Sequence, residues 1–305
     1  MGLIARISRY SPARLTVGNI AAMVLLLSLG ACSSAPSGSA GPGVMAATPV
    51  KDANPAYLAA GEATLHSGRF AEAMQIYQEV LVADPKSVAA QYGVAESLLG
   101  QGKAGDARPI FEVLATNAEF QARALQGEGL ALLTLGQREP AAKLFRQATD
   151  ADPTLWRSWN GLAVLADLRR EPVEAAIAYA RALAIDPTSA VLHNNFGYSY
   201  LLAGKSDDAM TEFRKAYSLD PASETIQSNI RLALAAEGNY AAAIRDVPKG
   251  RLPAVLNNIG YVAMQRGDLA AAEGYFARAM ESSTSFNTIA SQNIEQLKTK
   301  QGEAP

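Results

Sequence analysis

The dipeptide Asp-Pro recurs at a fixed interval, and this spacing constrains the fold more than any other feature of the chain. It occurs four times, at Asp84-Pro85, Asp152-Pro153, Asp186-Pro187 and Asp220-Pro221. The last three prolines are evenly spaced, and the first stands two such intervals before the second. A fixed period of roughly 20 to 50 residues is typical of repeat architectures. We therefore take this interval as the length of the repeating unit, with each of these prolines at its thirty-second position.

Three further positions repeat independently of the prolines. In the first five units the eighth position is glycine or alanine, the twentieth is always alanine and the twenty-fourth is aromatic. The aromatic residues are Tyr77, Phe111, Phe145, Tyr179 and Phe213. This pattern, from about Asn54 to Thr284, resembles the tetratricopeptide repeat, a helix-turn-helix of about 34 residues. The resemblance implies an all-α, right-handed superhelical solenoid of about seven such repeats.

Close packing gives a physical reason for glycine inside these helices. A glycine in a helix interior costs about 1 kcal/mol relative to alanine, yet Gly61, Gly129, Gly197 and Gly260 all lie in predicted first helices. We expect close approach of the second helix to offset this cost, with the aromatic ring filling the gap toward the next unit. A second set of glycines is expected to end the first helices in a left-handed conformation. This set is Gly68, Gly102, Gly136 and Gly204.

The regular spacing ends after Pro221. The sixth unit is shorter than the others, because Pro248 and Gly250 cut its second helix short. A seventh unit begins at Pro253, and a polar-faced capping helix is predicted over Thr288 to Lys298, since solenoids need such a face at their ends. The sequence thus predicts a repeat domain over residues 53–284, followed by a capping helix and frayed tail over residues 285–305.

Residues 1–31 are predicted to be a signal peptide. Arg6, Arg9 and Arg14 precede an apolar run over residues 20–29, which is shorter than the ~20 residues of a membrane-spanning helix. The segment Leu29-Gly30-Ala31-Cys32 follows and contains the only cysteine of the chain. It resembles the bacterial lipobox, which implies cleavage before Cys32 and a lipid anchor on its sulfur and amine. The alternative is a buried cysteine in an ordinary N-terminal helix.

Residues 32–52 are predicted to be the lipidated cysteine and a flexible linker, because they are rich in Ser, Gly and Pro and nearly free of charge. At about 5–6 Å × √n, a linker of roughly 19 residues reaches about 25 Å. Ser33 rather than aspartate follows Cys32, which in lipoproteins of this kind goes with sorting to the outer membrane. We therefore expect the repeats to lie on the periplasmic face of the outer membrane.

Composition and spacing exclude several classes of function. With 27 basic and 29 acidic residues and no Lys/Arg-rich block, the chain has no electrostatic footprint for nucleic acid. The two histidines, His66 and His193, lack the spacing of a metal site and are expected on the surface or in helix packing. We predict no metal, no cofactor and no catalytic centre. An enzyme would depend on an unrecognised carboxylate pair such as Glu62 and Glu96, for which two solvated charges in a binding groove are the alternative.

The resemblance to tetratricopeptide repeats also implies a concave groove, lined by the first helices, where protein or peptide partners bind. Amides both donate and accept hydrogen bonds, so a ladder of asparagines there can pair with the backbone of an extended peptide. Tyrosines would add apolar contact area with a polar tip. The alternative is that the asparagines bond across neighbouring first helices and hold the curvature of the array. The predicted groove residues are Tyr92, Asn160, Asn194, Asn195, Tyr198, Asn229, Asn257, Asn258 and Tyr261.

Over residues 193–243 the chain also resembles the assembly lipoproteins of Flp (tight-adherence) pili. The segments 194–204, 220–221 and 238–240 carry this resemblance. It implies a non-catalytic scaffold that helps the secretin of a type IVb pilus or type II-like secretion machine to reach or assemble in the outer membrane. Two other binding scaffolds on the same anchor stay open, a periplasmic adaptor for peptidoglycan enzymes and a component of outer-membrane protein assembly.

Overall fold

The computed structural model describes residues 54–282 and 287–302, and every regular element within them is an α-helix. The helices come in pairs that correspond to the predicted units. The pairs are α1 (Asn54–His66) with α2 (Phe70–Ala83), α3 (Val88–Gly100) with α4 (Ala104–Leu114), α5 (Gln121–Thr134) with α6 (Arg138–Ala151), α7 (Trp156–Arg169) with α8 (Pro172–Ile185), α9 (Ala190–Leu202) with α10 (Ser206–Leu219), α11 (Glu224–Ala236) with α12 (Tyr240–Ala243), and α13 (Leu252–Arg266) with α14 (Leu269–Ser282); α15 (Asn287–Gln301) follows alone. The predicted fold class, an all-α solenoid of repeats with a capping helix, is confirmed.

The helices form two layers. Within each unit the two helices pack against each other, and each first helix also contacts the first helix of the next unit, from α1 with α3 through α13 with α15. The second helices of neighbouring units lie farther apart, since their main contacts are with first helices. The first helices therefore make up the closely spaced inner layer, whose free surface is the concave face of the solenoid.

An aromatic ring is enclosed between neighbouring first helices in the N-terminal half of the array. The ring of Phe145 lies against Gly129 of its own unit and Gly161 of the next. A Cβ atom would lie 2.7 Å from the ring on Gly129 and 2.4 Å from it on Gly161, so neither site has room for a methyl group. The corresponding contacts earlier in the array are Tyr77 with Gly61 and Gly93, and Phe111 with Gly127.

The predicted close approach of first and second helices is present as well. A Cβ atom on Gly197 would lie 3.1 Å from the carbonyl oxygen of Ala209 in the second helix, and 2.7 Å from the ring of Phe213. The glycines of the next unit that complete each enclosure occupy the sixth position. The repeat pattern does not single out that position, because it is glycine only in units two to four.

The turns within the units have the predicted left-handed glycines. Gly68, Gly102, Gly136 and Gly204 have φ between 74° and 77°. In the fourth unit Arg170 takes this place with φ of 62°, a conformation that costs a side-chain-bearing residue about 1–2 kcal/mol. The same helix-ending hydrogen bond still forms there, from the backbone N–H of Glu171 to the carbonyl of Ala166 at 2.9 Å.

The sixth unit keeps its first helix but has only one turn of its second, α12. Val247 stands at the twenty-fourth position, where the other units carry a ring. At the eighth position, where the others carry a small residue, Arg231 donates from Nη1 to the carbonyls of Ala243 and Arg245 at 2.9 and 2.8 Å. The arginine thus satisfies carbonyl groups that the shortened helix leaves without partners.

The C-terminal end of the array is covered by α15. Its residues Ala290 and Leu297 are buried against α13 and α14. The helix begins one residue before the predicted Thr288 and ends three residues after the predicted Lys298. The array thus ends on an apolar contact rather than on an open repeat face.

The N-terminal features predicted from the sequence lie outside the described residues. These are the signal peptide, Cys32 and the linker, which together span residues 1–52. Within residues 54–282 and 287–302, no helix combines the length and the apolar character that crossing a membrane requires.

The ring enclosure makes a direct prediction for stability. We expect Gly161→Ala to lower the free energy of unfolding by roughly 1–3 kcal/mol, because the new methyl group overpacks a ring that cannot move aside. The matched control is Gly274→Ala in α14, where a Cβ atom meets no other group within 4 Å. This control should gain about 0.5–1 kcal/mol from the higher helix propensity of alanine. Urea unfolding followed by circular dichroism measures both, and equal effects at the two glycines would contradict the enclosure.

Candidate functional site

The candidate site lies on the concave face and has two parts. At the N-terminal end the helices α1, α3 and α5 surround a cavity of about 250 Å³, which we call the N-terminal pocket. Farther along, the same face carries a series of amide side chains. The pocket is lined by Leu58, Glu62, Leu65, His66, Tyr77, Ala89, Tyr92, Gly93, Glu96, Phe120, Arg123 and Arg157.

Glu96 is the buried charge of the N-terminal pocket, with 6% of its side chain exposed. Arg157, which comes from α7 two units later, donates from Nη1 to Oε2 of Glu96 at 2.8 Å. The hydroxyl of Tyr92 donates to Oε1 at 3.0 Å. A buried carboxylate needs partners of this kind. Glu96 and Glu62, the pair that an enzyme would need, do line one cavity, but both Glu96 oxygens are already bonded.

Tyr92 joins the charged and the aromatic parts of the pocket wall. Its ring lies 5.7 Å from that of Phe111 and 5.6 Å from that of Phe120. The guanidinium of Arg123 lies 4.3 Å from the centre of the Phe120 ring and 5.6 Å from that of Tyr92, within the range of a cation–π contact. Burial, together with the Glu96 carboxylate, raises the pKa of Tyr92 well above its usual range, so the hydroxyl keeps the proton that it donates.

Two carboxylates act on the tyrosine at the base of the pocket. Burial, together with the charges of Glu62 and Glu96, raises the pKa of Tyr77 to about 12. Glu62 itself is exposed, and so is His66 one turn farther along α1. The pocket therefore combines aromatic surface with one exposed carboxylate, that of Glu62 on α1.

Polar side chains link consecutive first helices along the rest of the concave face. In four units the side-chain oxygen at the fifth position accepts a hydrogen bond from the following first helix, and we call this series the amide ladder. Its bonds run from Ser158 Oγ to Gln126 at 3.3 Å, from Asn195 to Asn160 at 3.0 Å, from Asn229 to Asn194 at 2.8 Å, and from Asn293 to Asn257 at 2.8 Å. The last bond ties the capping helix to the seventh unit.

The amide ladder bears on the two roles considered for the asparagines. Asn160, Asn194, Asn195 and Asn229 are at most 2% exposed, and each bonds to another asparagine. They form the bonds across first helices that the alternative describes. Binding of a partner by these four amides would require the ladder to open and therefore stays a prediction.

The other predicted groove residues fall in different surroundings. Tyr198 and Tyr261 are about 5% exposed, so they offer a partner little surface. Asn257 belongs to the ladder, whereas Asn258 is half-buried and stands outside it. Tyr92 is separate from all of these, because it lies in the N-terminal pocket. The structure thus divides the predicted groove into a closed stretch and an open end.

A second buried carboxylate joins the fourth and fifth units. Asp167 accepts a hydrogen bond from the Ser199 hydroxyl at 2.6 Å and one from the Tyr179 hydroxyl at 3.0 Å. Burial raises the pKa of Asp167 to about 6, although both hydrogen bonds act in the opposite direction. One signal in the sequence could have indicated this site, because the fourth unit has tyrosine where most units have phenylalanine.

The histidines differ in their surroundings. His193 is buried in helix packing, with Nδ1 2.6 Å from a Glu212 carboxylate oxygen and Nε2 3.0 Å from the carbonyl of Pro187. His66 is exposed at the rim of the N-terminal pocket. Within the described part of the chain, no group of three or more His, Cys, Asp or Glu residues is placed to hold a metal ion.

Comparison with protein families agrees with this geometry. Three family profiles, each described as a tetratricopeptide repeat, match residues 64–129, 127–190 and 178–211. Together they run from the last residues of α1 into the first half of α10. The search of the curated proteins found no match.

Solved structures show the same fold at low sequence identity. A chain from the crystal structure of the APC/C hetero-tetramer Cut9-Hcn1 matches 83% of this chain with a TM-score of 0.60 and 16% identity. This chain spans only 51% of that one. A tetratricopeptide repeat protein from Parabacteroides merdae matches 80% of this chain and 99% of its own, with a TM-score of 0.51 and 12% identity. TTC0263 from Thermus thermophilus, a thermophilic protein of the same repeat class, matches 62% and 97% with a TM-score of 0.51 and 20% identity.

The amide ladder predicts a loss of stability when one bond is removed. Asn195→Ala leaves the buried Asn160 oxygen without its donor, so we expect the free energy of unfolding to fall by about 1–3 kcal/mol. Asn258→Ala, at the same repeat position but outside the ladder, should change it by less than about 0.5 kcal/mol. Urea unfolding of both variants tests the difference. A neutral Asn195→Ala would show that the ladder bonds contribute nothing net.

The raised pKa of Asp167 predicts a pH dependence. Its folded pKa lies above the unfolded one, so its contribution to stability is present at low pH and is lost as pH rises through about 6. As pH rises from 4 to 8, the free energy of unfolding of Asp167→Asn should increase by roughly 2–3 kcal/mol relative to that of the wild type, because asparagine never carries the buried charge. The control is Asp150→Asn at an exposed site on α6. Urea unfolding at several pH values gives the comparison, and parallel curves for wild type and Asp167→Asn would refute it.

Proposed function

We propose that this protein is a non-catalytic, protein-binding scaffold attached to the outer membrane by a lipid on Cys32. The observation that carries the binding role is the N-terminal pocket, an open cavity with aromatic and charged walls on the concave face of a repeat solenoid. Aromatic residues and arginine are the side chains that contribute most to binding at protein interfaces. Tyr77, Tyr92 and Arg123 bring both kinds into this one cavity.

The membrane attachment is supported by sequence order. A basic segment, a short apolar run and Leu29-Gly30-Ala31-Cys32 follow one another as in a lipoprotein signal peptide. One acyl chain binds a membrane only marginally, whereas two or more anchor a protein stably. The linker to residue 52 would let the repeats reach about 25 Å from the lipid surface. We place the scaffold on the periplasmic face of the outer membrane.

The partner that we propose is a secretin or another component of a Flp (type IVb) pilus or a related secretion machine. The support is the resemblance of residues 193–243 to TadD, the tight-adherence pilus assembly lipoprotein. In this stretch Asn194, Asn195 and Asn229 belong to the amide ladder, and Gly238 is a left-handed turn. Many of the resembling residues thus build the fold, so the partner needs a test that does not depend on them.

Partner recovery from membranes provides that test. We expect the wild-type protein, extracted in mild detergent, to fractionate with the outer membrane and to bring down a secretin or pilus protein detectable by mass spectrometry. Cys32→Ser removes the lipidation site and should lose both the fractionation and the partner. Ser34→Ala, two residues away in the linker, is the matched control and should behave as the wild type.

The outcomes separate the possible scaffolds. Recovery of peptidoglycan enzymes in place of a secretin would support the role of a periplasmic adaptor. Recovery of outer-membrane assembly proteins would support a role in outer-membrane protein assembly. Wild-type protein that stays in the soluble fraction would refute the lipid anchor itself.

A further inference from the structure

The two walls of the N-terminal pocket carry opposite charges that the protein itself leaves available. Glu62 stands on α1 and Arg123 on α5, and both side chains are exposed. Within the described residues neither of them takes part in an ion pair, although Arg123 stacks on two rings. Because α3 lies between α1 and α5 in the array, an acid faces a guanidinium across the pocket.

The inner charges of the pocket are balanced already. Glu96 is held by Arg157 and by the Tyr92 hydroxyl, so both of its oxygens are bonded. A partner therefore gains little from these groups and would leave a buried charge unpaired if it displaced them. Glu62 and Arg123 are the charges that remain for a partner, one of each sign.

The floor between the walls is apolar and of limited size. Leu58, Leu65 and the rings of Tyr77, Tyr92 and Phe120 surround the cavity. A volume of about 250 Å³ lies below the roughly 300–1,000 Å³ of small-molecule and cofactor pockets. It suits one large apolar side chain of a protein partner.

We infer that the pocket takes a partner segment with one large apolar side chain, flanked by a basic group facing Glu62 and an acidic group facing Arg123. This inference rests on the proposed scaffold function and names the chemistry of the partner at that site. Charge complementarity supports this inference, since a purely acidic segment would be repelled by Glu62 and a purely basic one would be repelled by Arg123. The charge order also fixes the direction in which the segment lies across α3.

The remainder of the concave face does not compete for such a segment. The side chains of the amide ladder are buried and bonded to each other. Its ring neighbours Tyr198 and Tyr261 are also buried. A charged segment therefore finds matching charges at the N-terminal end of the groove.

Three fluorescent heptapeptides test the inference by anisotropy with the full-length protein in detergent. Their sequences are Gly-Lys-Gly-Phe-Gly-Glu-Gly, the same with Lys and Glu exchanged, and the same with glutamine at both sites. We expect one charge order to bind about 5–10-fold more tightly than the other, from two exposed ion pairs gained against two repulsions. The neutral peptide should fall between them.

A charge exchange in the protein supplies the decisive comparison. The double variant Glu62→Arg with Arg123→Glu should invert the preference between the two charged peptides. The matched control exchanges the exposed pair Arg108 and Glu112 on α4 in the same way, and should leave the preference unchanged. Circular dichroism and thermal melting establish that both variants keep the fold.

The peptide results test the bipolar site, whereas secretin recovery tests the proposed function. No preference, a preference that survives the exchange, or no binding up to about 1 mM peptide would overturn the bipolar site. Secretin recovery together with any of these results would leave the scaffold function standing without this site. Inverted preference without secretin recovery would support the site and count against the pilus role.

Discussion

The enclosure of one aromatic ring between glycines of two first helices is the contact on which the N-terminal half of the structure depends. Phe145 touches Gly129 and Gly161 at distances that leave no room for even one methyl group. Burial of the whole Phe145 ring stabilises the fold by about 1.5–3 kcal/mol, which exceeds the helix-propensity cost of either glycine. It also fixes how close α5 and α7 come, and that spacing brings Ser158 within hydrogen-bond distance of Gln126.

The sixth position contributes differently along the concave face. In the second unit it is Gly93, which lines the N-terminal pocket and whose missing side chain makes room for the ring of Tyr77. In the fifth and sixth units it is Asn195 and Asn229, whose amides bond to the preceding first helix. One repeat scaffold thus carries a charged cavity at one end and a stretch of bonded amides farther along.

The sequence predicts the helices well because the period of the repeat fixes them, from the ring at Phe145 to the left-handed Gly136. It does not predict the pairing of Glu96 with Arg157, which are 61 residues apart and two units distant. Nor does it decide the role of the asparagines, since residues at the fifth and sixth positions border both the groove and the next helix. The spacing of the inner helices, which is a tertiary property, decides that the asparagine side chains bond to each other.

In the shortened sixth unit, several positions depart from the repeat pattern at once. Arg231 replaces the small eighth residue and caps α12, while Ser228 at the fifth position bonds within its own helix and interrupts the amide ladder. The oxygen of Asn229 is buried there without a hydrogen-bond partner among the described residues. Arg251 instead pairs with Glu224 across the junction. Arginine contacts thus replace the amide bond between the first helices of the sixth and seventh units, while Ile259 of α13 still packs against Ala235 and Ala243.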